Sequence, residues 1–151
     1  MTEDFRYDVF VSYRSAEPDQ TWVRSRLVPR LKEDGLRVCL DDDNFVLGMP
    51  LADLMEEAVV SSRCTVAVMT PAYLQGRFAR FEQALAIHLE LEQQERRLLV
   101  VMREPTDPPL SIRYKLWLDM TDDGSFDAKV AELCAALRSP GSAPTTTTGP
   151  G

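Results

Sequence analysis

Cys64-Thr65-Val66-Ala67-Val68-Met69 is a six-residue, nearly unbroken apolar run, and it constrains the fold more than any other stretch. A strand with one face in water alternates apolar and polar residues; a run without alternation fits a central parallel strand covered on both faces. A parallel neighbour needs a crossover connection, so the rest of the chain must supply helices between strands.

The flanking sequence supplies them. Tyr7-Asp8-Val9-Phe10-Val11-Ser12-Tyr13 is a first strand rich in β-branched and aromatic residues, residues 36–40 a second, 98–102 a fourth and 115–119 a short last one. Between them, Trp22, Val23, Arg26, Leu27, Arg30 and Leu31 give amphipathic helical spacing over 19–34, with Pro29 expected to kink or split the helix and Gly35 to end it. Residues 51–62 return to helical spacing through Leu54, Met55, Ala58 and Val59. A long helix follows Gly76 to about Arg97, and 126–137 forms the last helix. Strands alternating with helices specify an α/β fold with a five-stranded parallel sheet and helices on both faces. The segment 70–76 reads as a loop, and Trp117 as a core residue.

Composition bounds the partners. Apolar residues make up 44% and charged residues 27%, which suits one globular domain. A net charge of −7 argues against nucleic acid or an anionic membrane as partner, since both select clustered Lys and Arg. Cys39, Cys64 and Cys134 are odd in number and far apart, as expected of buried thiols in a reducing compartment. One histidine, His88, and no CxxC or HxxxH spacing imply no metal site. Without a membrane-length apolar run or a signal sequence at the acidic start, a cytoplasmic protein is expected. Residues 139–151 contain only Ser, Pro, Gly, Ala and Thr and read as a disordered tail or linker behind a domain spanning 1–138, with a sensor domain after the linker as one expectation.

In an open parallel sheet, ligands bind outside the carboxyl ends of the strands. Three loops converge there: one starting at Tyr13-Arg14, one at Asp41-Asp42-Asp43, and the 70–76 loop leading to Phe78 and Glu82. Phe78, Phe81, Leu85 and Leu89 share a helix face, and Glu82 stands four residues after Phe78, leaning over the same turn. A carboxylate held among rings is partly desolvated, a state that marks either the polar edge of a core helix or a functional acid. Arg14 is either a solvated loop residue or a cation lining the crevice, and Asp43 either a capping acid or a ligand contact. Phe45, Val46, Leu47 and Met49 crowd one loop with apolar side chains, better explained by a partner than by solvent. No GxGxxG, GxxxxGK[ST] or GxSxG occurs. A receiver domain is disfavoured because the strand ending at Met69 carries no Asp.

These residues, in this order, resemble the Toll/interleukin-1 receptor (TIR) domain. Residues 7–13 are similar to its first box, Asp41 to Pro50 with Gly48 to its BB loop, Phe78-Ala79-Arg80-Phe81-Glu82 to its Trp-Cys-x-x-Glu signature, and Leu116-Trp117 to its third box. The resemblance covers residues 6 to 138 and is most like the NAD-cleaving, bacterial-type members. It implies a flavodoxin-like three-layer sandwich. It also implies Glu82 as catalytic acid, with Arg14, Asp43, Phe78 and Tyr13 as substrate-binding residues. NAD+ is then a substrate rather than a cofactor, and Phe45, Val46, Leu47, Gly48, Met49 and Pro50 form a self-association loop through which other TIR domains are partners in a homo-oligomer or filament. The alternative implied is a non-catalytic interaction scaffold, or a virulence factor acting on host TIR signalling. The 14 Arg against 3 Lys hint at a GC-rich genome, hence at bacterial defence or virulence.

Overall fold

The computed structural model describes residues 6–14, 16–40, 47–48, 51–76, 97–107 and 117–138. Its strands are β1 (Tyr7–Ser12), β2 (Val38–Leu40), β3 (Ser62–Met69), β4 (Arg97–Met102) and β5 (Trp117–Asp119). They form one five-stranded sheet in the order β2-β1-β3-β4-β5, every pair parallel. That order is the flavodoxin-like one, with its topological switch point between β1 and β3.

Alternation along each strand sorts the core into two layers. Val9, Val11, Val66, Val68 and Val101 face one way, and pack with Trp22, Val23, Leu27 and Leu31 and with Val130, Leu133 and Leu137. The first four belong to the helical stretch after β1, the last three to the C-terminal helix. Phe10, Ala67, Met69, Val100 and Met102 face the other way, against Ala58, Val59 and Tyr73. Helices therefore cover both faces, and β3 is buried along nearly its whole length, as its unbroken apolar run requires.

The stretch after β1 is helical throughout but not uniform: α1 (Asp19–Trp22), a π-helical turn (Val23–Leu27) and α2 (Val28–Glu33). Pro29 has no N–H to donate, and its ring crowds the carbonyl four residues back. The chain answers by widening the turn just before it, with the Val28 N–H reaching back five residues to the Val23 carbonyl. The helix ends in a Schellman motif: the Gly35 N–H bonds the Lys32 carbonyl at 2.9 Å and the Leu36 N–H bonds the Leu31 carbonyl at 3.2 Å. Gly35 has φ +87, the left-handed conformation this motif needs.

On the opposite face lie α3 (Leu51–Ser61) and α4 (Pro71–Gln75), and a 3-10 turn (Asp123–Ser125) leads into α5 (Phe126–Arg138). Two expectations are corrected. Residues 71–75 are a short helix rather than loop, because Thr70 caps it with its side chain and Pro71 opens it with a preset φ. Trp117 is 41% exposed rather than core, because β5 is a three-residue edge strand with no strand described beyond it. The long helix expected from Gly76 to about Arg97 lies, apart from its ends, outside the described residues. All three cysteines stand as buried thiols.

Candidate functional site

The carboxyl edge at the switch point is built from the ends of β1 and β3, whose residues run level with Ser12 opposite Ala67. Past that register β3 continues through Met69 to Thr70. Thr70 is extended at φ −141 and ψ 161, buried, and its hydroxyl oxygen accepts the Tyr73 N–H at 3.1 Å. The same hydroxyl donates to Asp19 Oδ2 at 2.7 Å. Both halves of the hydroxyl are thereby used, and Asp19, only 3% exposed, stays at the start of α1.

Burying a carboxylate costs several kcal/mol unless it is met by donors or positive charge. Here it receives one hydroxyl and occupies the first turn of a 15-residue helical stretch, where the backbone dipole favours an anion. On the other side of the same turn, the Tyr73 hydroxyl meets Ser12 Oγ at 2.8 Å, both groups fully buried. The start of α1, the turn from β3 into α4 and the end of β1 are thus tied by side-chain bonds across 51 and 61 residues of sequence.

Arg14 follows directly, half-buried, with Nη1 donating to the Glu17 carbonyl at 2.9 Å. Tyr13 is fully buried within the α1/α5 side of the core, and its hydroxyl accepts from Arg24 Nε at 3.0 Å. Its ring is enclosed in that layer, while Arg14, one residue on, reaches the surface. Leu47 is 100% exposed, and Gly48 beside it has φ +96, a conformation glycine adopts without strain. Glu82, Asp43, Phe78, Phe45, Val46, Met49 and Pro50 lie outside the described residues. The structure thus brings Tyr13 and Arg14 to the carboxyl edge, with Leu47 on the surface. It adds Asp19, Thr70, Ser12 and Tyr73, which the sequence reading passed over. The signal for Thr70 was the Thr-Pro pair, a capping residue before a helix-opening proline. Nothing in the pattern marked Asp19 as buried, since an Asp at a helix start is ordinarily solvated.

Elsewhere, Arg103 leaves β4 and lays its guanidinium on the Trp22 ring at 4.6 Å while donating to the Met120 carbonyl and Asp123. Trp22 meets the Phe126 ring edge-on at 6.0 Å, and Arg26 covers the Phe126 ring. This stack rivets α1, β4 and the start of α5. An open groove of about 440 Å³ lies beside β5 and α5, lined in part by Leu99, Trp117, Leu118, Lys129 and Leu133. Among the described residues, no group of three or more His, Cys, Asp or Glu could hold a metal ion, and no helix is long and apolar enough to cross a membrane.

A family model described as TIR domain matches residues 9–134. The chain belongs to that family. Among curated proteins, this TIR domain is 29% identical over 105 residues to Toll-like receptor 6 of Mus musculus, covering 70% of the chain and 13% of the relative. It is 36% identical over 92 residues to Toll-like receptor 12 of Mus musculus, covering 58% of the chain and 10% of the relative. The chain therefore spans about an eighth or less of these receptors' length. Among solved structures, the TIR domain of the Toll-related receptor TRR-2 from Hydra magnipapillata superposes with a TM-score of 0.73 at 22% identity, over 88% of this chain and 99% of that one. A metazoan TIR-STING receptor from C. gigas gives 0.70 at 20% identity, over 93% of this chain and 43% of that one. These likenesses show the fold.

Proposed function

We propose that this TIR domain, residues 1–138, cleaves the nicotinamide–ribose bond of NAD+, releasing nicotinamide and ADP-ribose or a cyclic isomer, and that self-assembly in the cytoplasm turns it on. The observation that carries this is Glu82, an acid four residues after Phe78 on the segment that follows α4 in the sequence, with α4 anchored at the switch-point edge through Thr70 to Asp19 and Tyr73 to Ser12.

The chemistry suits a single acid. Nicotinamide in NAD+ is a cationic pyridinium that leaves as a neutral molecule, so the leaving group needs no proton, unlike an ordinary glycoside. Positive charge moves onto the ribose, and water adds there with loss of a proton, or a group of the same nucleotide adds to close a ring. An ionised Glu82 stabilises that charge. Arg14 suits the pyrophosphate through charge-assisted bonds, Asp43 the ribose hydroxyls, and Phe78 a stacked ring. Tyr13, expected to bind substrate, is instead fully buried, so its part is to hold the end of β1 from which Arg14 projects. An off state in the monomer suits an activity that depletes NAD+, and fits a role in bacterial defence.

The curated relatives carry the names of receptors, and Leu47 is fully exposed, which favours a second reading: an interaction scaffold that recruits other TIR domains without chemistry. Glu82→Ala separates the two. Nicotinamide release followed over a range of protein concentrations is expected to rise faster than protein concentration for the parent chain and to fall about 100-fold or more in the variant, the usual loss when a preorganised charge is removed. No release from the parent at any concentration, with intact self-association, leaves the scaffold reading standing alone.

A further inference from the structure

We infer that Asp19 is a positioning residue of the switch-point edge, fixing through Thr70 the stance of the β3–α4 turn, after which the sequence runs on to Glu82. Its catalytic consequence rests on the NAD+-cleaving reading above. Three observations carry it. Asp19 and Thr70 are 3% and 1% exposed, and their 2.7 Å bond joins the start of α1 to the end of β3. The Thr70 oxygen that donates to Asp19 also accepts the Tyr73 N–H, and the Thr70 carbonyl accepts the Leu74 N–H at 3.1 Å. The Tyr73 ring then returns to β1 through Ser12. Asp19 thus orients the hydroxyl that caps α4. Without an acceptor there, the Thr70 hydroxyl is free to rotate its proton toward another partner and loosen the cap.

Stability alone gives little reason for the arrangement. α4 is five residues long, and a buried carboxylate with one hydroxyl donor is a costly way to hold it. Orientation gives a better one, because a shift of about 1 Å in a group supporting a reaction costs on the order of 100-fold in rate. What Asp19 must supply is an acceptor of the right shape. An asparagine supplies that, and neither alanine nor leucine does.

The test uses the full chain with Asp19→Ala, Asp19→Asn, Thr70→Val and Thr70→Ser. Kinetics of nicotinamide release are measured beside thermal unfolding and amide hydrogen exchange at Tyr73 and Leu74. Asp19→Ala and Thr70→Val are expected to lower kcat by about tenfold to 100-fold with KM little changed and to speed exchange at both amides, whereas Asp19→Asn and Thr70→Ser stay near the parent. Thr70→Val keeps the side chain's shape, so it reports even if Asp19→Ala fails to fold. Unchanged kcat in both deleting variants, with only the melting temperature lowered, overturns the inference and leaves a structural bond. If the parent chain releases no nicotinamide, the NAD+ reading fails by itself and exchange decides. Faster exchange in Asp19→Ala with parental exchange in Asp19→Asn supports the positioning role; parental exchange in both overturns it.

Discussion

Asp8 shows what one residue does at the amino end of the sheet. Its Oδ2 accepts from the Arg37 backbone N–H at 2.8 Å and from Nε at 3.2 Å, and its Oδ1 accepts from Nη2 at 3.1 Å, joining β1 to the approach of β2. Partial burial alone would raise the carboxyl pKa, but the Arg37 hydrogen bonds, together with the charges of Arg37 and Arg63, outweigh it and hold the pKa below its ordinary 3.8. A depressed pKa stabilises the fold at pH above the unfolded value, and that stability is lost as pH falls through the folded value. The Arg37 side chain is 58% exposed, so screening keeps the pair to about 1 kcal/mol or less. Asp8→Asn is therefore expected to melt a few degrees lower than the parent at pH 7, with the gap closing as the pH drops below the ordinary carboxyl range, followed by circular dichroism. A gap unchanged in acid would show that the lost stability is not the carboxylate's charge. At the switch-point edge, the sequence order alone placed Arg14, which stands just past the end of β1 with its guanidinium on the Glu17 carbonyl. Residue-scale reading failed for Asp19, because burial of an acid depends on Thr70, 51 residues away, and no local pattern reports that contact.

Elements were legible to the degree that their own residues determine them. β3 announced itself because burial on both faces leaves Thr65 as the one polar residue over 64–69, and the apolar runs 9–11 of β1 and 98–102 of β4 follow for the same reason. Pro29 and Gly35 marked a disturbance and an end to the helical stretch after β1, yet the form of the disturbance, a π-helical turn placed before the proline, depends on how the helix must still seat Val23 and Leu27 in the core. Trp117 was misread because its composition suits a core and only the strand order shows that β5 lies at the edge. The Gly35 terminator carries a prediction of its own. No atom stands within 4 Å of a β-carbon built there, so substitution tests the left-handed φ of +87 without a clash. Gly35→Ala is expected to cost about 1 kcal/mol, the left-handed penalty less the entropy alanine removes from the unfolded chain. The urea midpoint should fall with the m-value unchanged; an unaltered midpoint would mean the Schellman bonds re-form with another backbone.

For the whole molecule the question is how copies would meet in the proposed self-assembly. A net charge of −7 repels identical chains at long range, so that association would rest on short-range apolar contact and be strengthened when about 0.15 M salt shortens the reach of the repulsion to about 8 Å. Leu47 is the residue to test, since a fully exposed leucine contributes nothing to the isolated fold and gains most from burial against a second chain. Covering it stabilises a contact by about 1.5–3 kcal/mol, equivalent to a tenfold or larger change in affinity. Leu47→Asp removes that gain and adds one more negative charge to each copy. Its melting temperature should stay with the parent, because surface changes of this kind move stability by no more than about 0.5 kcal/mol. Its sedimentation at rising concentration in physiological salt should show association weakened tenfold or more. Under the proposed activity, nicotinamide release should fall with the loss of association while the Glu82 carboxylate is untouched, so the variant recovers when crowding forces copies together and Glu82→Ala does not. Association at the parental strength in Leu47→Asp would remove the loop from the assembly and leave the activity to be switched by another surface.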